Sequence, residues 1–77
     1  MRGYSYEFVR RVRGLARYAN APVGVKLGVD AIDRGIPIMV IARELKVSRM
    51  AVYDWFTGKY TPAPERAKQL RALLNRK

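Results

Sequence analysis

The 77 residues contain no His and no Cys. The side chains that most often serve as general base, nucleophile or structural zinc ligand are therefore missing. Asp30 and Asp33 stand at helical spacing and form a candidate metal pair. On a segment that also carries Lys26 and Arg34 they read better as surface charges, with Asp30 and Arg34 paired at i,i+4. No enzyme activity, cofactor or metal is expected. What the chain has in abundance is positive charge: 16 Lys and Arg oppose 6 Asp and Glu, for a formal net charge of +10. Charge of that density on so small a chain repels itself, and a polyanion relieves the repulsion. Nucleic acid is the expected partner, ahead of an anionic membrane surface or an acidic protein.

One stretch concentrates side chains with a defined geometric task, Ile38-Met39-Val40-Ile41-Ala42-Arg43-Glu44-Leu45-Lys46-Val47-Ser48-Arg49-Met50-Ala51-Val52-Tyr53-Asp54-Trp55-Phe56-Thr57. Two short helices that cross closely need a small residue at the crossing, and Ala42 supplies it. Ile41 and Leu45 are the apolar residues of the first helix, and Val47 anchors the turn. Ser48 is a strong N-cap for the second helix, and Val52 and Trp55, four and seven residues later, form its core face. Gly58 stops that helix and Pro62 restarts the chain.

These seven positions, with the glycine and proline after them, resemble the helix-turn-helix of the lambda-repressor and Cro-like family. The resemblance covers about Lys26 to Leu74 and leaves Met1 to Ala21 outside it. One position departs: Lys46 stands where the family usually has Gly, at a left-handed turn residue that costs a lysine roughly 1 kcal/mol. The resemblance implies double-stranded DNA as partner, with a recognition helix over Arg49 to Phe56 in the major groove. It implies a small repressor-like transcriptional regulator in the cytoplasm of a bacterial or phage-infected cell, associated with the nucleoid.

The side chains of that helix not consumed by the core are Ser48, Arg49, Met50, Tyr53, Asp54 and Thr57, which are the candidate base contacts. Arg49 suits bidentate contact with guanine O6 and N7, or a phosphate. Met50 and Tyr53 suit a thymine methyl, although Met50 is also a candidate for partial burial and Tyr53 for a phosphate contact. Asp54 can accept from cytosine N4, but a carboxylate near DNA is repelled otherwise, and pairing with a nearby Arg is the favoured expectation. Trp55 and Phe56 belong to the core. Arg43, Lys46, Lys59 and Tyr60 flank the helix pair as candidate phosphate contacts. Arg10, Arg13 and Arg17 form a basic stripe that either grips the backbone or is a solvated face.

The elements that must position these groups follow from periodicity and punctuation. The pattern predicts an all-α bundle of four to five short helices in one domain over residues 1–77, with an extra N-terminal helix within 1–21. That helix runs from about Tyr6 to Ala19, capped by Ser5, with Phe8, Val12, Leu15, Ala16 and Ala19 on its apolar stripe. A second spans about Lys26 to Arg34, ended by Gly35, although the alternation over Val23 to Val29 also allows a short strand. Pro37 opens the helix-turn-helix at 38–57. A last helix follows Thr61, over 62–75, with Ala67, Leu70, Leu73 and Leu74 inward and Arg66, Lys68, Arg71, Arg76 and Lys77 outward.

A chain of this size displays its function on its surface rather than enclosing a large cavity. The longest apolar run, Ile36 to Ala42, is far below the ~20 residues of a membrane span, and no signal-peptide core is present. A homodimer is expected of a groove reader, with the contact supplied by Leu73 and Leu74 or by the first helix. The competing reading is an adaptor that uses the same scaffold to bind a larger host machine such as RNA polymerase. A packaging or recombination accessory subunit is a further reading within DNA binding.

Overall fold

The computed structural model describes residues 4–76. Expectations for residues 1–3 and for Lys77 lie outside the described residues. Five helices follow one another: α1 (Tyr6–Ala16), α2 (Val23–Arg34), α3 (Ile38–Leu45), α4 (Arg49–Phe56) and α5 (Pro64–Arg76). No strand occurs among the described residues, so the alternation over Val23 to Val29 is helical.

Three helices end in the same way. Gly35, Lys46 and Gly58 each take a positive φ, at 70°, 59° and 79°. At each, paired backbone N–H groups bend back onto the last turn. Ile36 donates to Ala31 and Gly35 to Ile32; Val47 donates to Ala42 and Lys46 to Arg43; Lys59 donates to Asp54 and Gly58 to Trp55. This motif satisfies carbonyls that a helix end leaves orphaned, at a left-handed residue that Gly occupies without strain. Only at Lys46 does a side chain occupy that conformation, as the turn was expected to require.

The core runs through all five helices and includes Val12, Val25, Ile41, Val52, Phe56, Leu70 and Leu74, each at most 2% exposed. α2 passes directly beneath α4. A Cβ placed at Gly24 would lie 2.4 Å from the Trp55 carbonyl oxygen, and one at Gly28 would lie 2.9 Å from Phe56 Cγ. The two glycines sit one turn apart on one face of α2, and their missing side chains let α4 rest on it. α5 closes the domain against α2 and α3. Two arginines bind carbonyls near the ends of neighbouring helices: Arg66 donates to Leu45 O at 2.8 Å, and Arg34 donates to Leu74 O at 2.8 Å.

Several expected boundaries and contacts are corrected. α1 stops at Ala16, three residues short of Ala19, which is exposed. Gly14 in its last turn weakens the helix, and the buried positions are Val9 and Val12. α2 begins at Val23 rather than Lys26, and Gly24, within its first turn, packs against α4. α5 begins at Pro64 rather than Pro62. Thr61 and Ala63 each precede a proline and are pushed out of the helical region, so the helix cannot start earlier. Arg66 is partly buried through its carbonyl contact rather than free. Leu73 and Leu74 are 2% and 0% exposed, so they serve this core and are not available to a dimer.

Candidate nucleic-acid interface

α4 is held at both ends. The Ser48 hydroxyl accepts from Ala51 N at 3.1 Å, with Ser48 itself in extended backbone geometry. At the other end Thr57 Oγ1 donates to Tyr53 O at 2.8 Å. Val52, Trp55 and Phe56 turn inward, while Met50 is 66% and Tyr53 40% exposed. Ser48 and Arg49 are exposed; Asp54 and Thr57 are half-buried at the edge of the same surface. The six candidate base-contact residues therefore lie together along one outward strip of α4 and its two caps.

The hydrogen-bonding state of each group determines what it can offer. Ser48 accepts in its cap, so its O–H remains a donor. Thr57 donates to its own helix, so its lone pairs remain acceptors. Arg49 Nη2 rests 3.8 Å from Met39 Sδ, a weak contact that leaves the guanidinium exposed. Asp54 makes no ion pair among the described residues, against the expectation that an Arg would orient on it; the three ion pairs there join Arg13 to Asp33, Arg34 to Asp30 and Arg76 to Glu44. The reason is local. Helical neighbours of Asp54 at three and four residues are Met50, Ala51, Thr57 and Gly58, and none is a cation. A half-buried acceptor thus stands open on a surface dominated by donors.

Arg43 and Lys46 are exposed on α3 and its turn, and Lys59 and Tyr60 are exposed beyond α4, with Lys59 Nζ 5.7 Å from the Tyr60 ring centre. They flank the strip on its two sides in sequence. Arg10, Arg13 and Arg17 are placed elsewhere. They line a shallow hollow with Gly14, Ala16 and Val29, and Arg13 Nη2 is 2.6 Å from Asp33 Oδ1. Asp33, read from sequence as a plain surface charge, is therefore paired across helices with α1, whereas Asp30 pairs with Arg34 within α2, at i,i+4 and 2.7 Å.

The arginine that accompanies α4 is Arg11, which sequence reasoning passed over. With Phe8, Met50, Tyr53, Asp54 and Lys59 it lines a groove of about 650 Å³ between α1 and α4. Phe8, Arg11 and Leu15 recur at i, i+3 and i+7 and share one edge of α1. That spacing was the available signal. The Phe8 ring meets Tyr53 edge-to-face at 5.1 Å, and Tyr4 stacks on Phe8 at 6.0 Å. Tyr4 is itself buried and donates its hydroxyl to Ile36 O at 2.6 Å. Burial first, and the neighbouring Tyr53 second, push the Tyr4 phenol well above its usual range. The N-terminal segment thus ties the start of α3 to the outward face of α4.

No helix among the described residues is long and apolar enough to cross a membrane, and no cluster of three or more metal-ligating side chains occurs among them. Compared with known proteins, the chain matches no family model, no curated protein and no solved structure.

Proposed function

We propose that this domain binds double-stranded DNA in a sequence-dependent way, with α4 lying in the major groove. The observation that carries this reading is the outward strip of α4. Its length of 8 residues and its mixture of donors, the open acceptors of Asp54 and Thr57, and exposed apolar tips match what base edges in the major groove present. In this reading Arg49 takes guanine O6 and N7, Asp54 accepts from cytosine N4, and Met50 and Tyr53 meet thymine methyls. Arg43, Lys46, Lys59 and Tyr60 hold phosphates, which position the helix without reading sequence. The net charge of +10 supplies the salt-dependent attraction. The resemblance of residues 26–74 to lambda-repressor and Cro-like helix-turn-helix domains supports the same reading and adds a repressor-like role.

A second reading has its own support. Met39 and Met50 are 54% and 66% exposed beside one another's helices, and flexible thioethers suit a protein partner. An adaptor that docks on a larger machine would use this same patch. Selection of the purified chain on random duplexes separates the two. A recovered motif bound at least ~10³-fold tighter than scrambled DNA supports the regulator. Binding that is equal on all sequences and collapses with salt refutes sequence reading and favours the adaptor.

A further inference from the structure

The helix-turn-helix is not the whole of the charged surface that faces outward around α4. Arg11 stands on the edge of α1 that borders the groove, is exposed, and makes no ion pair among the described residues. Arg13, on another edge, is already neutralised in part by Asp33 at 2.6 Å. Across the groove from Arg11, Lys59 follows the end of α4, and the two cations outweigh the single carboxylate of Asp54.

The Phe8 wall of this groove is backed by a ring anchored in the core, Tyr4. Tyr4 is fixed by its 2.6 Å hydrogen bond to Ile36 O, Phe8 stacks on Tyr4, and Tyr53 meets Phe8 edge-to-face at 5.1 Å. A wall held in this way costs little ordering when a ligand arrives.

We propose that α1 forms a second wall of the DNA-binding surface. A backbone strand enters beside α4, Arg11 takes one phosphate on its α1 side, Lys59 takes another near the end of α4, and Phe8 presents the Tyr53 ring between them. This rests on the DNA reading and extends it to an element outside the helix-turn-helix, which widens the footprint.

The test is the salt dependence of affinity for one selected duplex, measured with the full chain, R11A, R11K and R71A. Arg71 lies on α5 and is exposed, so it controls for the loss of one charge anywhere. The log–log slope is expected to fall by about 0.9 for R11A, the value of one phosphate contact, and to return in R11K. R71A is expected to keep the parent slope. Equal slopes for R11A and the parent, or equal reductions in R11A and R71A, overturn the proposal while leaving the DNA reading intact. A parent chain that binds no duplex at any salt concentration removes the DNA reading and this wall together.

Discussion

The same substitution, Gly to Ala, is expected to act with opposite sign at two positions. At Gly24 the new Cβ would lie 2.4 Å from the carbonyl oxygen of Trp55 and 3.1 Å from Pro62 Cδ. The carbonyl is backbone, and it already accepts from Gly58 N at 3.2 Å in the motif that ends α4. Relief therefore requires α4 or the loop after it to move. Overpacking costs about 1–3 kcal/mol, and a backbone clash belongs at the upper end. Gly→Ala in a helix returns at most about 1 kcal/mol, which leaves a net loss of about 2 kcal/mol. At Gly14 nothing lies within 4 Å of the added methyl, so Gly14→Ala is expected to stabilise by about 0.5–1 kcal/mol. For a domain of this size 1 kcal/mol moves Tm by about 6 °C. Thermal unfolding followed by circular dichroism and by Trp55 fluorescence, the single tryptophan of the chain, should show Gly24→Ala about 12 °C below the parent. Gly14→Ala should lie 3–6 °C above it. A Gly24→Ala variant as stable as the parent would refute the close passage of α2 beneath α4.

Three other outcomes follow from the same structure. Lys46 adopts φ 59° and ψ 44°, so Lys46→Gly is expected to raise Tm by about 6 °C through relief of about 1 kcal/mol, while lowering the salt slope of DNA binding by about 0.9; a fall in Tm would contradict the capping account. Asp54→Asn exchanges an acceptor of cytosine N4 for a side chain that suits adenine, so repeated selection should change preference at one base pair, whereas uniform tightening on every duplex would show that Asp54 only repels phosphate. The Tyr4 phenol is raised above its usual 10.0 by burial. Its neutral form is favoured by folding, so that contribution is complete below pH 10 and is lost as pH rises beyond it. Chemical denaturation at pH 9 and pH 11 should show a smaller loss for Tyr4→Phe than for the parent, and equal losses would place Tyr4 outside the alkaline transition.

Much of the motif was legible because its demands are local. Ser48, Lys46 and the inward Val52 and Trp55 follow from caps, turn geometry and helical period, and α4 has the bounds that these set. What was not legible is what distant segments impose on one another. The alternation around Gly24 allows a strand until α4 is seen lying across that glycine, and Leu73 and Leu74 read as candidates for a dimer contact until α2 and α3 cover them. The partner of Asp33 proved to be Arg13, 20 residues away. Arg11 was hidden for a related reason: three other arginines make a more regular stripe, yet only the ring contacts of Phe8 reveal which edge of α1 meets α4. Tyr4 carried no periodic signal at all, because it precedes the helix and is buried by its hydrogen bond to Ile36.

The central claim, that α4 reads base edges in the major groove, is tested most directly by changing single atoms of a selected duplex. Replacing the guanine assigned to Arg49 with 7-deazaguanine removes the major-groove N7 acceptor, and replacing it with inosine removes only the minor-groove amino group. The deaza duplex keeps O6, so about half of the ~1–3 kcal/mol of a bidentate pair, roughly 0.5–1.5 kcal/mol, is expected to be lost; that loss should disappear in Arg49→Ala, and inosine should be bound as well as guanine. Loss on inosine with none on 7-deazaguanine would place the contact in the minor groove and contradict the account.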